Sequence, residues 1–388
     1  MSADRILFLD EDHPHTLHMA GAFIRHGYQV DILSAVPHPR PSYHGGALRV
    51  MTGPPAEHGQ YVDAVEAIVE LGSYQHIIPM SDATLRRACL EDRPWTRHVF
   101  PRVARDHLEL LLDKRRTCEF AAARGILTPA IRGLDAVDGL SRAARDFGFP
   151  LVVKGVAGEG SGVNVSIVRS FAEAEDAIGA TRRRTKQEPY LQQYVQGTPY
   201  LAGGLFANGV PLRLFAAQIT QQSPDKTGPA VRLRSSDDAE LVQSFCAVMK
   251  AVEWTGLAQG DYVRDERGRF AFLEVNPRPW GSIAAAARVG VDFFTPLVQL
   301  FHGETPEARL GFPSGQDIAL FPQRVRAHLR SSRAFVRRWV AAVSDLASWH
   351  ALWHTDPRLI RPYLRWMIYR RRDLVRRLEL EAQTRPSY

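Results

Sequence analysis

The stretch FLEVNPRPWGS, residues 272–282, sets Glu274 and Asn276 two positions apart in an apolar run. On a strand their side chains leave the same face about 6–7 Å apart. Upstream, GLAQGDYV (256–263) supplies Asp261, and the polar turn signal DERGR (265–269) separates the two runs. If Arg267-Gly268 caps a hairpin, Asp261 falls opposite Glu274 with Cβ atoms about 5 Å apart. Two carboxylates and an amide oxygen at that spacing repel one another unless a hard cation lies between them. Mg²⁺ takes oxygen ligands and is commonly shared with substrate phosphates. The pattern therefore implies a Mg-nucleotide site. A carboxylate flanked by Leu273 and Val275 strengthens that reading, because burying it without a partner is costly.

Phosphate-seeking cations are the next requirement. Only five of the 49 basic residues are lysines: Lys114, Lys154, Lys186, Lys226 and Lys250. Arginine fills the generic surface positions, so a retained lysine points to a compact charge reaching a phosphate. Lys154 ends an apolar run just before the glycine loop GEGSGV (158–163). Val163, Val165 and Ile167 then alternate with polar neighbours, which reads as strand–loop–strand. A P-loop or dinucleotide fingerprint needs strand–loop–helix. The loop must instead act as a hairpin flap whose backbone N–H groups meet phosphate. Arg232 and Arg234 share a face of an extended segment, where they either clamp a substrate carboxylate or stay solvated.

These groups need a scaffold. Residues 5–10, 15–27 and 28–35 read as strand, helix and strand, and 36–60 as a long loop. A helix over 61–72 and a strand over 74–80 complete an α/β unit. No GxGxxG follows the first strand, so a dinucleotide role is not indicated. Asp10, Glu11, Asp12, His13 and His15 read as strand-end loop residues. Residues 108–125 read as helical, 188–197 as a strand entering a linker, and 201–219 as a hairpin about Asn208-Gly209. Thr220–Ser236 reads as a polar loop. A helix over 235–256 carries a Ser235 or Ser236 cap and a buried stripe of Leu241, Phe245, Met249 and Val252.

The chain of 388 residues is long enough for two or three domains. Its three cysteines, Cys89, Cys118 and Cys246, are scattered and suggest neither a disulfide framework nor a zinc site. MSADRILFLD has an acid at position 4 and too short an apolar run for a signal peptide, and no run is of membrane-spanning length. A cytoplasmic setting is expected. The net charge of +7 is uneven: residues 324–388 hold fifteen arginines and five acids, with four of the seven tryptophans. That segment reads as a helical appendage with an arginine-rich outer face, with peripheral contact to an anionic membrane as the second reading. No nucleic-acid motif accompanies it, and a homodimer is the default assembly.

Taken in order, Lys114, Lys154 with GEGSGV, QQYVQG (192–197) and LEVNPR (273–278) resemble the ATP-grasp superfamily. NPRPWGSIAAAARVGVDF (276–293) is similar to its carboxylate–amine ligase, carbamoyl-phosphate-synthase-like branch. The resemblance covers about 108–305. It implies an α/β and α+β architecture: an N-terminal Rossmann-like domain (1–107), a small lobe with the flap (108–190), a large lobe with the metal strands (191–310) and a basic helical extension (311–388). It implies an ATP-dependent ligase joining a small-molecule carboxylate to an amine through an acyl-phosphate, using ATP and Mg²⁺ (or Mn²⁺). A small-molecule kinase or a non-catalytic Mg-ATP-binding regulator are the rival readings.

Carried over residue by residue, Lys114 and Lys154 match the phosphate-binding lysines. Gly158, Gly160, Ser161 and Gly162 match the flap, and Gln193, Tyr194 and Val195 the adenine hinge. Asp261, Glu274 and Asn276 match the metal ligands. Lys154, Ser161 and Arg278 are the implied catalytic groups, and Arg232, Arg234 and Arg278 the candidate substrate contacts. The sequence departs from the pattern at Gln193, where Glu is common, at Thr198-Pro199, where a ribose-holding acid is common, and at Asp261, one methylene shorter than the commoner Glu.

Overall fold

A computed structural model describes residues 4–9, 14–35, 42–43, 47–134, 138–156, 165–222, 230–320 and 323. The N-terminal strands β1 (Arg5–Leu9), β2 (Gln29–Ser34), β3 (Ser42–Tyr43), β4 (Leu48–Thr52) and β5 (His76–Pro79) form one sheet in the order β3-β4-β2-β1-β5. Parallel strands buried on both faces need continuous apolar runs, and Ile6, Leu7, Phe8 and Leu9 are all fully buried. Helix α1 (Pro14–Arg25) connects β1 to β2, α2 (Tyr61–Gly72) connects β4 to β5, and α3 (Asp82–Leu90) follows β5. The chain winds outward from β1 to β4, then returns to place β5 on the other side of β1. That reversal opens a crevice at the carboxyl ends of β1 and β5. The expected loop over 36–60 contains β4, whose Leu48 and Val50 are buried against the sheet. Only two of its five side chains are deeply buried, too weak an alternation to stand out among flanking Gly and Pro.

The expected helix over 108–125 is two helices, α4 (Arg105–Leu112) and α5 (Lys114–Ala122). Asp113 separates them in extended backbone, and its carboxylate accepts the Arg116 N–H at 3.0 Å as the α5 N-cap. A second sheet, ordered β6-β9-β7-β8, contains β6 (Ile131–Gly133), β7 (Leu151–Lys154), β8 (Val165–Val168) and β9 (Tyr190–Gln193). Leu151, Val153 and Leu191 pack with Ala143 of α6 (Gly139–Phe147) and Ala174 and Ile178 of α7 (Phe171–Thr185). By alternation the other face presents Val152, Lys154, Tyr190 and Gln192.

The third sheet carries the hairpin that matters most. Its order is β14-β13-β10-β11-β12-β15. The strands are β10 (Gly197–Ala207), β11 (Val210–Gln222), β12 (Ala230–Ser235), β13 (Gly256–Asp265), β14 (Phe270–Asn276) and β15 (Asp317–Ala319). Helix α8 (Ala239–Ala251) buries Leu241, Phe245 and Met249 beneath it, with Val252 just beyond its end, as the stripe predicted. Its cap is Asp238, whose side chain accepts the Glu240 N–H at 3.1 Å. Ser235 is instead the last residue of β12, and its hydroxyl donates to the Pro313 carbonyl at 2.7 Å. Two short helices, α9 (Ala284–Ala287) and α10 (Phe294–Phe301), follow β14. Residues expected to open a helical extension at 311 instead supply the edge strand β15. The basic segment 324–388 lies outside the described residues.

Candidate active site at the β13–β14 hairpin

The turn is closed by Asp265, whose Oδ1 accepts the backbone N–H groups of Arg267 at 3.0 Å and Arg269 at 2.9 Å. Gly268 takes φ of +81°, a conformation a side chain would resist. The hairpin register then pairs Asp261 with Glu274 and Gln259 with Asn276. The ladder shifts by one residue between Tyr262 and Asp261: the register at the turn, Arg264 with Phe270, would carry Asp261 to Leu273, and the irregularity sets Glu274 opposite it instead.

Glu274 is held by both lysines. Lys114 Nζ donates to Oε1 at 2.7 Å and Lys154 Nζ to Oε2 at 3.1 Å. Lys114 is the first residue of α5, and Lys154 ends β7. Both are buried, at 7% and 5% exposure, so neither is a surface lysine. Burial alone would raise the Glu274 pKa, but the two ammonium groups outweigh it and bring it down to about 2. Burial would lower that of Lys114, but Glu274 and then Asp82 outweigh it and raise it. Asp261 has no such cation in contact. Burial and the neighbouring Glu274 charge push it up to about 6, against a hydrogen bond from Gln259.

Amides and a guanidinium extend the cluster. Gln259 Nε2 donates to Asp261 Oδ1 at 2.7 Å, and Asn276 Nδ2 to Asp261 Oδ2 at 3.3 Å and Gln259 Oε1 at 3.0 Å. Arg278 Nη2 donates to Asn276 Oδ1 at 3.0 Å, and its Nε to Asp82 Oδ1 at 2.7 Å. Trp280 fixes the loop bearing Arg278: its indole lies so close over Gly203 that a Cβ there would stand 2.4 Å from the ring. Gly203 is the register partner of Gln259 on β10, so the ring packs on the same face as the cluster.

The donor chemistry fits a hard divalent cation. Two carboxylates face each other across the hairpin with an amide beside them, and one carboxylate is already balanced by cations able to pass to phosphate oxygens. Among the described residues no group of three His, Cys, Asp or Glu side chains forms a closed metal cage. Asp261 and Glu274, with Asn276 through the Oδ1 that here also accepts from Arg278, would make a partial set of the kind that Mg²⁺ completes with substrate phosphates and water.

The other expected residues divide. Gly158, Gly160, Ser161 and Gly162 lie outside the described residues, but their flanking strands β7 and β8 pair antiparallel, Lys154 opposite Val165. Tyr194 and Val195 are half-buried in the link from β9 to β10. Gln193 is exposed, its N–H donates to the Ala130 carbonyl at 2.8 Å, and its Oε1 accepts the Ala130 N–H at 3.4 Å. Its side chain leaves the strand on the face away from Lys154. The residue on the cleft face is Gln192, which is buried with its Nε2 unpartnered among the described residues. Arg232 and Arg234, for which a substrate clamp and a solvated face were both open, are not part of this cluster. They lie on β12, three strands from β13 and about 14 Å away at ordinary strand spacing. Arg234 is taken by Asp317, through Nε at 3.0 Å and Nη2 at 3.1 Å. Sequence reasoning did not assign Gln192, Gln259 or Asp82. Gln259 carried a usable signal, because it stands two residues before Asp261 on the same face.

No protein-family model matches the chain. It is 29% identical over 212 residues to the D-alanine–D-alanine ligase of Ectopseudomonas mendocina (strain ymp), covering 52% of this chain and 67% of that protein. Across the first such ligases the chain spans 60% to 67% of their length. By structure it is similar to biotin carboxylase from Campylobacter jejuni in a β,γ-ATP complex, with a TM-score of 0.65, 14% identity and coverage of 81% of this chain and 74% of that one. The biotin carboxylase domain dimer of Hydrogenobacter thermophilus 2-oxoglutarate carboxylase, with MgADP, ADP and bicarbonate, gives a TM-score of 0.62 and 16% identity, covering 79% and 72%. The chain is thus similar in sequence to D-alanine–D-alanine ligases and shares the fold of biotin carboxylase, in agreement with the resemblance to the ATP-grasp superfamily.

Proposed function

We propose that the protein is an ATP-dependent ligase that joins a carboxylate to an amine through an acyl-phosphate and releases ADP and phosphate. The observation that carries this reading is the buried Lys114–Glu274–Lys154 bridge beside Asp261 and Asn276. A carboxylate clamped by two lysines is a poor static device, since replacing buried ion pairs by apolar groups is often neutral or stabilising. It makes sense as a counter-ion exchange. With a triphosphate bound, Lys114 and Lys154 would turn from Glu274 to phosphate oxygens, and the freed Glu274, with Asp261 and Asn276, would hold a divalent cation. When bound, Mg²⁺ or Mn²⁺ supplies charge neutralisation at the β- and γ-phosphates.

The chain's own contribution is positioning and electrostatics. Lys114 and Lys154 orient the triphosphate from fixed points at a helix start and a strand end. Gln192 and the hinge backbone at Tyr194 and Val195 meet the base. Arg278, bonded to Asn276 beside the two carboxylates, would contact the transferred phosphate or the acid. A carboxylate oxygen attacks the γ-phosphorus, and the bond from phosphorus to the bridging oxygen breaks, leaving ADP. The amine nitrogen then attacks the acyl carbon, the carbon–oxygen bond breaks, phosphate departs and the amine proton is released.

The names of the sequence relatives make amino acids the first acids and amines to test. A screen of acids against amines, reading phosphate release and product mass, should give ADP with an amide product. Hydroxylamine should trap the intermediate as a hydroxamate. A stable phosphorylated product that resists hydroxylamine would instead identify a kinase, and binding without ADP under every pairing a regulator. Among the described residues no helix is long and apolar enough to cross a membrane. We extend the proposal to a homodimer, to be tested by sedimentation. A basic membrane-surface role for 324–388 would require that segment to bind anionic vesicles.

A further inference from the structure

Arg278 does not stand alone in the large lobe. Its Nε is paired at 2.7 Å with Asp82, 196 residues earlier in the chain, and both side chains are largely buried. Asp82 is the first residue of α3, directly beyond the carboxyl end of β5 at the crevice between β1 and β5. Its position is tightly specified. The Met80 N–H donates to the Leu9 carbonyl at 3.0 Å, tying the end of β5 to β1. Ser81 and Thr84 form a reciprocal capping box, with the Thr84 N–H on Ser81 Oγ at 3.2 Å and the Ser81 N–H on Thr84 Oγ1 at 3.1 Å. A carboxylate at the first helical position is also favoured by the helix dipole.

From Asp82 the contacts run unbroken into the metal cluster. Arg278 donates from Nε to Asp82, from Nη1 to the Pro279 carbonyl at 2.9 Å and from Nη2 to Asn276 Oδ1 at 3.0 Å. Those three acceptors hold the guanidinium plane in one orientation. Arg278 takes one lone pair of Asn276 Oδ1 while Nδ2 is held by Asp261 and Gln259, so the amide plane is fixed and the second lone pair of Oδ1 is the one left for a cation. We propose that Asp82, from the N-terminal sheet, is a positioning residue of the ligase site: it orients Arg278 and, through it, the Asn276 amide that helps to hold the cation.

The inference rests on the ligase reading but is tested apart from it. Full-length wild type, Asp82→Ala, Asp82→Asn, Arg278→Ala and the Asp82→Ala/Arg278→Ala double variant are titrated calorimetrically with AMP-PNP at several Mg²⁺ concentrations, with thermal unfolding recorded alongside. Asp82→Ala should raise the Mg²⁺ concentration for half-saturation about tenfold, whereas Asp82→Asn, which keeps an oxygen acceptor, should stay within about threefold. In the Arg278→Ala background, Asp82→Ala should add nothing. An equal shift in both backgrounds, or a lower unfolding temperature with no change in Mg²⁺ dependence, would overturn the proposal. Should Asp82→Ala not fold, Asp82→Ser carries the same cycle. Failure of wild type to bind AMP-PNP with Mg²⁺ would instead strike the ligase reading itself.

Discussion

Gln192 and Gln193 are neighbours in sequence with opposite prospects. Strand alternation turns Gln192 into the cleft, on the face shared with Lys154 and Tyr190, and turns Gln193 out to solvent and Ala130. A buried amide nitrogen with no partner calls for an acceptor, and a nucleotide base offers several. Gln192→Ala should therefore weaken Mg-AMP-PNP binding about tenfold, while Gln193→Ala stays within about twofold by calorimetry. Equal effects would show that the base does not meet that face. Much of the residue-level chemistry was legible beforehand. The two acids and the turn between them were readable, whereas the one-residue shift beyond Tyr262 that sets Asp261 opposite Glu274 rather than Leu273 was not. The phase of a four-residue strand was not legible, because β9 reads as YLQQ, with two adjacent amides either of which could face the cleft. Nor was the Asp82–Arg278 pair, since an ion pair between distant segments leaves no trace in either.

At the scale of elements, the site depends on close approach between β10 and the loop after β14. Gly203 stands where Trp280 covers the sheet, and Trp280 also meets Phe293 edge-on at 5.4 Å. A methyl group added at Gly203 must push the indole aside, and overpacking of that kind costs about 1–3 kcal/mol. Gly203→Ala should lower the denaturation midpoint by that amount and also weaken Mg-nucleotide binding, because the displaced loop carries Arg278. Unchanged binding in a folded variant would mean that Trp280 does not position the loop. Strands with long apolar runs and helices with full stripes were readable. The misses share one physical cause, which is that neighbours rather than local pattern set the boundaries. β4 is a short strand completed by β2, and Ser235 was drawn into β12 by the Gln316 and Pro313 segment, leaving the helix cap to Asp238.

Across the molecule, one apolar core joins the N-terminal sheet to the large sheet through α10. Two histidines lie against that helix: His18 edge-on to Phe294 at 5.5 Å and His76 stacked on Phe301 at 3.9 Å. Burial, with Arg25 for His18 and with Arg102 for His76, lowers each to about 4. Their folded values lie below the ordinary value near 6.5, so the unfolded chain binds protons first as the pH falls. Stability should be intact above about pH 6.5 and decline toward pH 4, with His18 alone contributing on the order of 3 kcal/mol. Chemical denaturation across that range should show the decline, and His18→Phe should flatten it. A flat wild-type profile would contradict the assignment. The N-terminal α/β unit was readable from its strand–helix–strand order, whereas the merging of the first and third sheets into one core was not, because contacts between distant segments leave no local pattern.

The account stands most directly on the exchange of Glu274 between two lysines and a cation. Calorimetric titration of AMP-PNP into wild type and Glu274→Gln, each with Mg²⁺ and with EDTA, measures it. Wild type should bind at least about tenfold more tightly with Mg²⁺, and Glu274→Gln should lose most of that difference while retaining metal-free binding through its freed lysines. Equal wild-type affinity in Mg²⁺ and EDTA, or a full metal effect retained in Glu274→Gln, would contradict it.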